Sequence, residues 1–205
     1  MNFWKMLQTF LPWIGYKIIM DLPLSDTMLA LKLSVVFAFS VCVWQTLRKT
    51  GKGILHWGSL GFFSVTLALI VVWPSLWYLE RLGVFSSGTL AALVWIGILA
   101  RRPFTLVYAK EIVDPSLWNT PRFLRRNYLM SGLWGVTFLL QTGLALIKAQ
   151  DWEHRVAYDV LDNVLLIIAA ALTCMYSKKR QASTSTGDLE TTSKGAEHAH
   201  SSDKR

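Results

Sequence analysis

At 205 residues, 53% of them hydrophobic, and with a formal net charge of +8, the chain is long enough for one compact domain in water or in lipid. Its two cysteines, Cys42 and Cys174, both fall inside apolar stretches, where a thiol is a small hydrophobe, so a disulfide framework is not suggested. The positive charge is gathered in alternate gaps between apolar stretches; it reads as a topology signal, and nucleic acid is not an expected partner.

The first predicted element is residues 3–20. It carries Lys5, Pro12 and Lys17, so it is either a short crossing or an amphipathic helix lying in the interface. A crossing fits better, because the charge pattern requires an even number. The single early lysine, the proline-interrupted apolar run and the missing small-residue cleavage site argue against a cleaved signal peptide. Residues 27–47 and 54–79 follow, each about the ~20 residues needed to cross ~30 Å of hydrocarbon. Residues 83–100 come next, then 128–147 and 156–176. Trp44, Trp57, Trp73, Trp77 and Tyr78 lie near the ends of their stretches, at the level an amphipathic ring prefers. Small residues at four-residue spacing, Gly88 with Ala92 and Ser131 with Gly135, permit close helix packing.

The gap after the second stretch holds Arg48, Lys49 and Lys52, and the gap after the fourth holds Arg101, Arg102, Lys110, Arg122, Arg125 and Arg126. The tail opens with Lys178, Lys179 and Arg180, whereas the intervening gaps are poor in positive charge. Positive residues stay on the cytoplasmic side during insertion, so both termini are expected there. The expected fold is all-α: a polytopic membrane bundle of about six transmembrane helices over residues 1–180. Residues 181–205 are rich in Ser, Thr, Gly, Lys and Glu, and form an expected disordered cytoplasmic tail. His198 and His200, in that tail, read as a chance pair and not as a metal site.

Two groups of residues stand out as candidate sites. The segment 101–127 interleaves apolar side chains with basic ones, a composition that suits short helices on an anionic leaflet. Arg101, Arg102, Lys110, Arg122, Arg125 and Arg126 would meet anionic phospholipid headgroups, with Phe104 and Trp118 inserted at the interface; the alternative is a loop whose charges only fix topology. The second group is polar and intramembrane: Lys32, Gln141, Asp159, Asp162 and Asn163 all fall within the outer half of their helices. Lys32 paired with Asp162, or with Asp159, is the economical arrangement. A structural ion pair is the first reading, and a proton or cation site in a small transporter or channel the second. His56, at the inner end of its helix, reads as interfacial. No nucleophile elbow, phosphate-cradling glycine loop, zinc pair or redox CxxC is present, so no catalytic residue, metal or cofactor is assigned and the chain is not read as an enzyme.

Several of these pieces, in order, resemble the intracellular septation protein A family of bacterial inner-membrane proteins. The opening FLPWIGYK, with Pro12, Tyr16 and Lys17, is similar to that family's amino-terminal stretch, and Arg102, Pro103 and Phe104 to its basic-proline turn. Trp118, Asn127, Trp134 and Phe138 resemble its aromatic and asparagine series entering the next helix. The likeness spans roughly residues 8–148. The chain departs from the family in its longer segment between Phe104 and Trp118, its Asp-bearing last helix and its polar tail. The resemblance implies a non-enzymatic inner-membrane protein aiding cell division or envelope maintenance through other membrane proteins, with self-association compatible.

Overall fold

The computed structural model describes residues 3–22, 26–72, 76–111, 113–150 and 153–175. Every regular element among them is helical: α1 (Phe3–Met20), α2 (Thr27–Leu47), α3 (Gly53–Val72), α4 (Leu76–Glu80), α5 (Leu82–Leu99), α6 (Phe104–Lys110), a 3-10 turn (Pro115–Leu117), α7 (Pro121–Lys148) and α8 (Arg155–Met175). The expected tail, 181–205, lies outside the described residues. The chain divides into two compact units, Met1–Leu166 and Ile167–Arg205. In the second, the Thr173 hydroxyl donates to the Ala169 carbonyl at 2.8 Å.

Among the described residues five helices, within α2, α3, α5, α7 and α8, are long and apolar enough to cross a membrane, and the architecture is that of a multi-pass membrane protein. The sixth expected crossing, α1, has the length of α5 but not the apolar character. The distribution of side chains agrees with a lipid solvent. Large apolar residues such as Val71, Val72, Trp57 and Leu99 face outward, while Ser34, Ser59, Thr66, Thr105 and Ser131 are buried. Hydroxyls are satisfied within their own helices: Ser40 donates to the Val36 carbonyl, Ser64 to Leu60 and Thr142 to Phe138, each four residues back. Hydrocarbon offers no alternative acceptor.

Within the stretch 54–79 the described residues form α3 up to Val72 and α4 from Leu76. One boundary differs from the sequence reading. The stretch 128–147 starts a further two turns early. Pro121 occupies the first turn of α7, where its missing N–H costs nothing, and the helix then runs 28 residues. Arg122, Arg125 and Arg126 therefore stand on a helix that continues into the bundle and not on a loop.

Consecutive long helices pack antiparallel. The most extensive contact joins α5 to α7, next α1 to α2, then α2 to α3 and α3 to α5. Along α5 and α7 the seam is made of small residues: Gly83 faces Ala145, Gly88 faces Thr142, and Gly135 faces Trp95 and Val94. A methyl group on Gly135 would sit 3.1 Å from Trp95 Nε1 and 3.2 Å from Val94 Cγ1, so the helices approach closely at this glycine. The Ser131 and Gly135 pair is thus used for packing, as is Gly88.

α2 and α5 end alike. Lys49 (φ 55°) and Arg101 (φ 57°) adopt the left-handed conformation just past the helix. The N–H of the following residue reaches back: Thr50 N to Gln45 O at 3.0 Å, and Arg102 N to Gly97 O at 2.8 Å. Cations at these termini also suit the negative end of the helix dipole. Both ends, with the start of α3, α6 and the start of α7, form one end of the bundle, here called the cap.

Candidate functional site

The cap is a folded structure, more than a loop lying on a surface. Pro103 precedes α6, whose Phe104, Thr105, Tyr108 and Ala109 are buried. Phe104 is therefore not inserted at the interface as expected. It is 2% exposed and meets Phe10 of α1 edge-on at 6.0 Å between ring centroids, in a core shared with Trp134 and Phe138. Alternation of apolar and basic residues holds for a surface helix and for a helix docked on a bundle alike; tertiary packing decides between them. The Thr105 hydroxyl donates to Asn127 O at 2.9 Å and lies 3.0 Å from the Ser131 hydroxyl, which pins α6 to α7.

Trp118 is half-buried. Its Nε1–H donates to Val113 O at 2.8 Å, its ring packs with Ala109, Val113 and Phe123, and Lys110 Nζ stands 5.1 Å over it. Asp114 caps the 3-10 turn by accepting from Ser116 N at 2.9 Å, and its bonds to Ser116 hold the carboxyl below the usual carboxylate range. Arg101, Arg102, Arg122 and Arg125 are exposed, whereas Lys110 and Arg126 are half-buried. Arg126 has partners of its own and is not a free cation. The structure thus turns Phe104, Tyr108, Val113 and Phe123 inward and leaves a collar of arginines outward.

A polar network beneath the cap ties α1 to its neighbours. Thr9 donates to Tyr108 Oη at 2.7 Å, Tyr108 Oη in turn to Lys52 O at 3.3 Å, and Lys52 pairs with Glu111 at 2.6 Å. Burial, the largest influence, pushes the Tyr108 phenol above its ordinary value; the bond from Thr9 opposes this and Glu111 adds to it. Beside it, His56 is 1% exposed, not interfacial as its sequence position implied. Its Nδ1 lies 3.3 Å from Gln45 Oε1 and its Nε2 3.0 Å from the Thr46 hydroxyl, while Gln45 Nε2 donates to Gln8 O at 2.6 Å. Gly51 makes room for the ring: a Cβ there would fall 2.3 Å from it. The sequence signal for this burial was the Gly-Lys-Gly turn just before the histidine.

The intramembrane group is assembled at the opposite end, but with a different cation. Asp162 pairs with Lys17 of α1 at 2.5 Å, not with Lys32, and Lys148 of α7 pairs with Asp159. Lys32 is exposed, because α2 turns Leu31, Val35, Ala38 and Cys42 into the core and Lys32 lies one residue round from that row. Gln141 is buried with the pair, its Nε2 donating to Asp162 O at 3.4 Å, and Asn163 donates to Asp159 O at 3.0 Å within α8. Four of the five expected residues therefore meet, and Lys17 completes them. Chemically the arrangement is a clasp between α1, α7 and α8, with each carboxylate neutralised by an ammonium. No group of three or more metal-ligating side chains occurs among the described residues. Comparison with protein-family models, with curated proteins and with solved structures finds no match to this chain.

Proposed function

We propose that the chain is a non-enzymatic protein of a bacterial inner membrane, serving cell division or envelope maintenance by holding other membrane proteins and anionic phospholipid at its cap. The observation that carries the reading is the cap itself: a folded platform that presents Arg101, Arg102, Arg122 and Arg125 outward. Loop charges that only fix topology need no such platform. The family resemblance of residues 8–148 supplies the cell-division or envelope context.

In this proposal α1 is a sixth crossing and both termini are cytoplasmic. Supporting it, α1 runs the length of α2, tied at one end by Gln8 to Gln45 and at the other by Lys17 to Asp162. An interfacial helix would not reach α2 at one end of the bundle and α8 at the other. A transporter would use Lys17, Asp162 and Gln141 as its polar site. Direct pairing at 2.5 Å favours a structural clasp over a vacant cation site.

The test is affinity capture from mild detergent with the native chain and with an Arg101→Gln, Arg102→Gln, Arg122→Gln, Arg125→Gln variant that still folds. Division or envelope proteins captured by the first and lost by the second bear the reading out. An identical set from both, or a set without such proteins, overturns it.

A further inference from the structure

We propose a second lipid site, separate from the arginine collar: a groove on the outer face of α2 that retains one acyl chain of an anionic phospholipid, with the phosphate held by Arg48 and Lys49. The groove is shallow and open, about 260 Å³, and is lined by Phe39, Ser40, Val43, Trp44 and Leu47. Its one hydroxyl is already spent, since Ser40 donates to Val36 O at 2.8 Å, which leaves the lining effectively apolar. From Ser40 to Leu47 the helix rises about 10 Å, so the groove matches about a third of the thickness of a hydrocarbon layer.

What stands at its foot decides the occupant. Ser40, Trp44 and Arg48 share one row at four-residue spacing, and Arg48 keeps helical backbone angles as the cap of α2. Lys49 follows in the left-handed conformation, with its N–H bonded to Thr46 O at 3.0 Å. The turn thus fixes two adjacent, exposed cations where the apolar lining ends. Among the described residues neither enters an ion pair; nearby Glu111 is paired with Lys52 instead. Trp44 is exposed at the same level, where an indole edge favours headgroups. An apolar slot ending in two unpaired cations and an interfacial indole matches an anionic phospholipid; a neutral lipid would leave the cations unanswered. The site rests on the chain being in a bilayer, and not on which side this end of α2 faces.

Full-length protein in mild detergent is titrated with phosphatidylglycerol, and with phosphatidylcholine of the same chains, while bound lipid is counted by native mass spectrometry. The native chain is expected to retain the anionic lipid preferentially. In Arg48→Gln/Lys49→Asn, with asparagine chosen because it tolerates the left-handed backbone, each lost cation should weaken phosphatidylglycerol by roughly fivefold, with phosphatidylcholine unchanged. Filling the groove with Val43→Trp should lower both lipids. Arg122→Gln/Arg125→Gln should leave this site intact, which separates its failure from failure of the collar. Undiminished phosphatidylglycerol in Arg48→Gln/Lys49→Asn, or a loss seen only in the collar variant, overturns the proposal. If Val43→Trp does not fold, a photo-crosslinking residue in place of Ser40 serves: preferential capture of phosphatidylglycerol supports the site, and equal capture of both lipids rejects it.

Discussion

The pairing of Lys17 with Asp162 gives a quantitative test of how the bundle closes. The two side chains are 32% and 21% exposed, so the pair is neither a surface contact nor a fully buried one. Breaking a buried pair by removing one partner costs about 3–5 kcal/mol, while exposed pairs contribute about 0–1 kcal/mol. Partial exposure places Lys17→Met between these limits, at about 1–3 kcal/mol of destabilisation. Replacing both residues, as Lys17→Met with Asp162→Leu, leaves no charge behind and should return the stability to within about 1 kcal/mol of native. Lys32→Leu, on the exposed side of α2, should stay within about 0.5 kcal/mol. Unfolding in mixed micelles with increasing dodecyl sulfate, followed by circular dichroism, measures all four chains. Equal losses from Lys17→Met and Lys32→Leu, or a double variant no more stable than Lys17→Met alone, would refute the clasp.

Gly135→Ala should be less stable than Gly132→Ala by about 1–3 kcal/mol in the same unfolding assay, because Trp95 and Val94 must shift to admit a methyl group at Gly135, whereas Gly132 has open space and gains helix propensity. Trp134 is buried with its indole N–H unpaired, so Trp134→Phe should cost clearly less than the ~3–5 kcal/mol expected of Trp134→Ala. Tyr108 has a folded-state value above its unfolded one, so its contribution is full below about pH 10 and is lost as pH rises further; Tyr108→Phe should flatten the alkaline limb of a pH–stability curve. Reporter fusions at the amino terminus and after Glu80 should report opposite compartments if α1 crosses, and the same one if it does not.

The helices were legible in the sequence because crossing a bilayer is a property each segment carries alone. Length and apolar content identify α2, α3, α5, α7 and α8 without knowledge of any neighbour. Which side of a helix faces inward is another matter. In water the polar face marks the outside, but α2 is apolar on nearly every side, and its core row of Leu31, Val35, Ala38 and Cys42 differs little in type from exposed Leu33, Val36 and Phe37. Depth alone therefore matched Lys32 to Asp162. Azimuth, which depends on packing, excluded it and gave the carboxylate to Lys17, on the helix whose charges had made it the weakest span.

The same argument explains the cap. Charge patterning fixed which gaps are basic, since that is a count along the chain, but Phe104 was assigned to an interface because basic residues flank it in sequence, and His56 because it stands at the end of its helix. Burial of both follows from contacts across the fold: Phe10 of α1 receives Phe104, and Gln45 of α2 receives His56 in the space left by Gly51. Both contacts pass through the first turns of α1, where Gln8 and Thr9 supply the remaining bonds. A helix that hydropathy rates as marginal is thus fastened to the bundle by polar groups at each end and by aromatic rings between. Those polar groups lower its apolar character as an isolated segment, and the same groups hold it in the bundle once its partners are present.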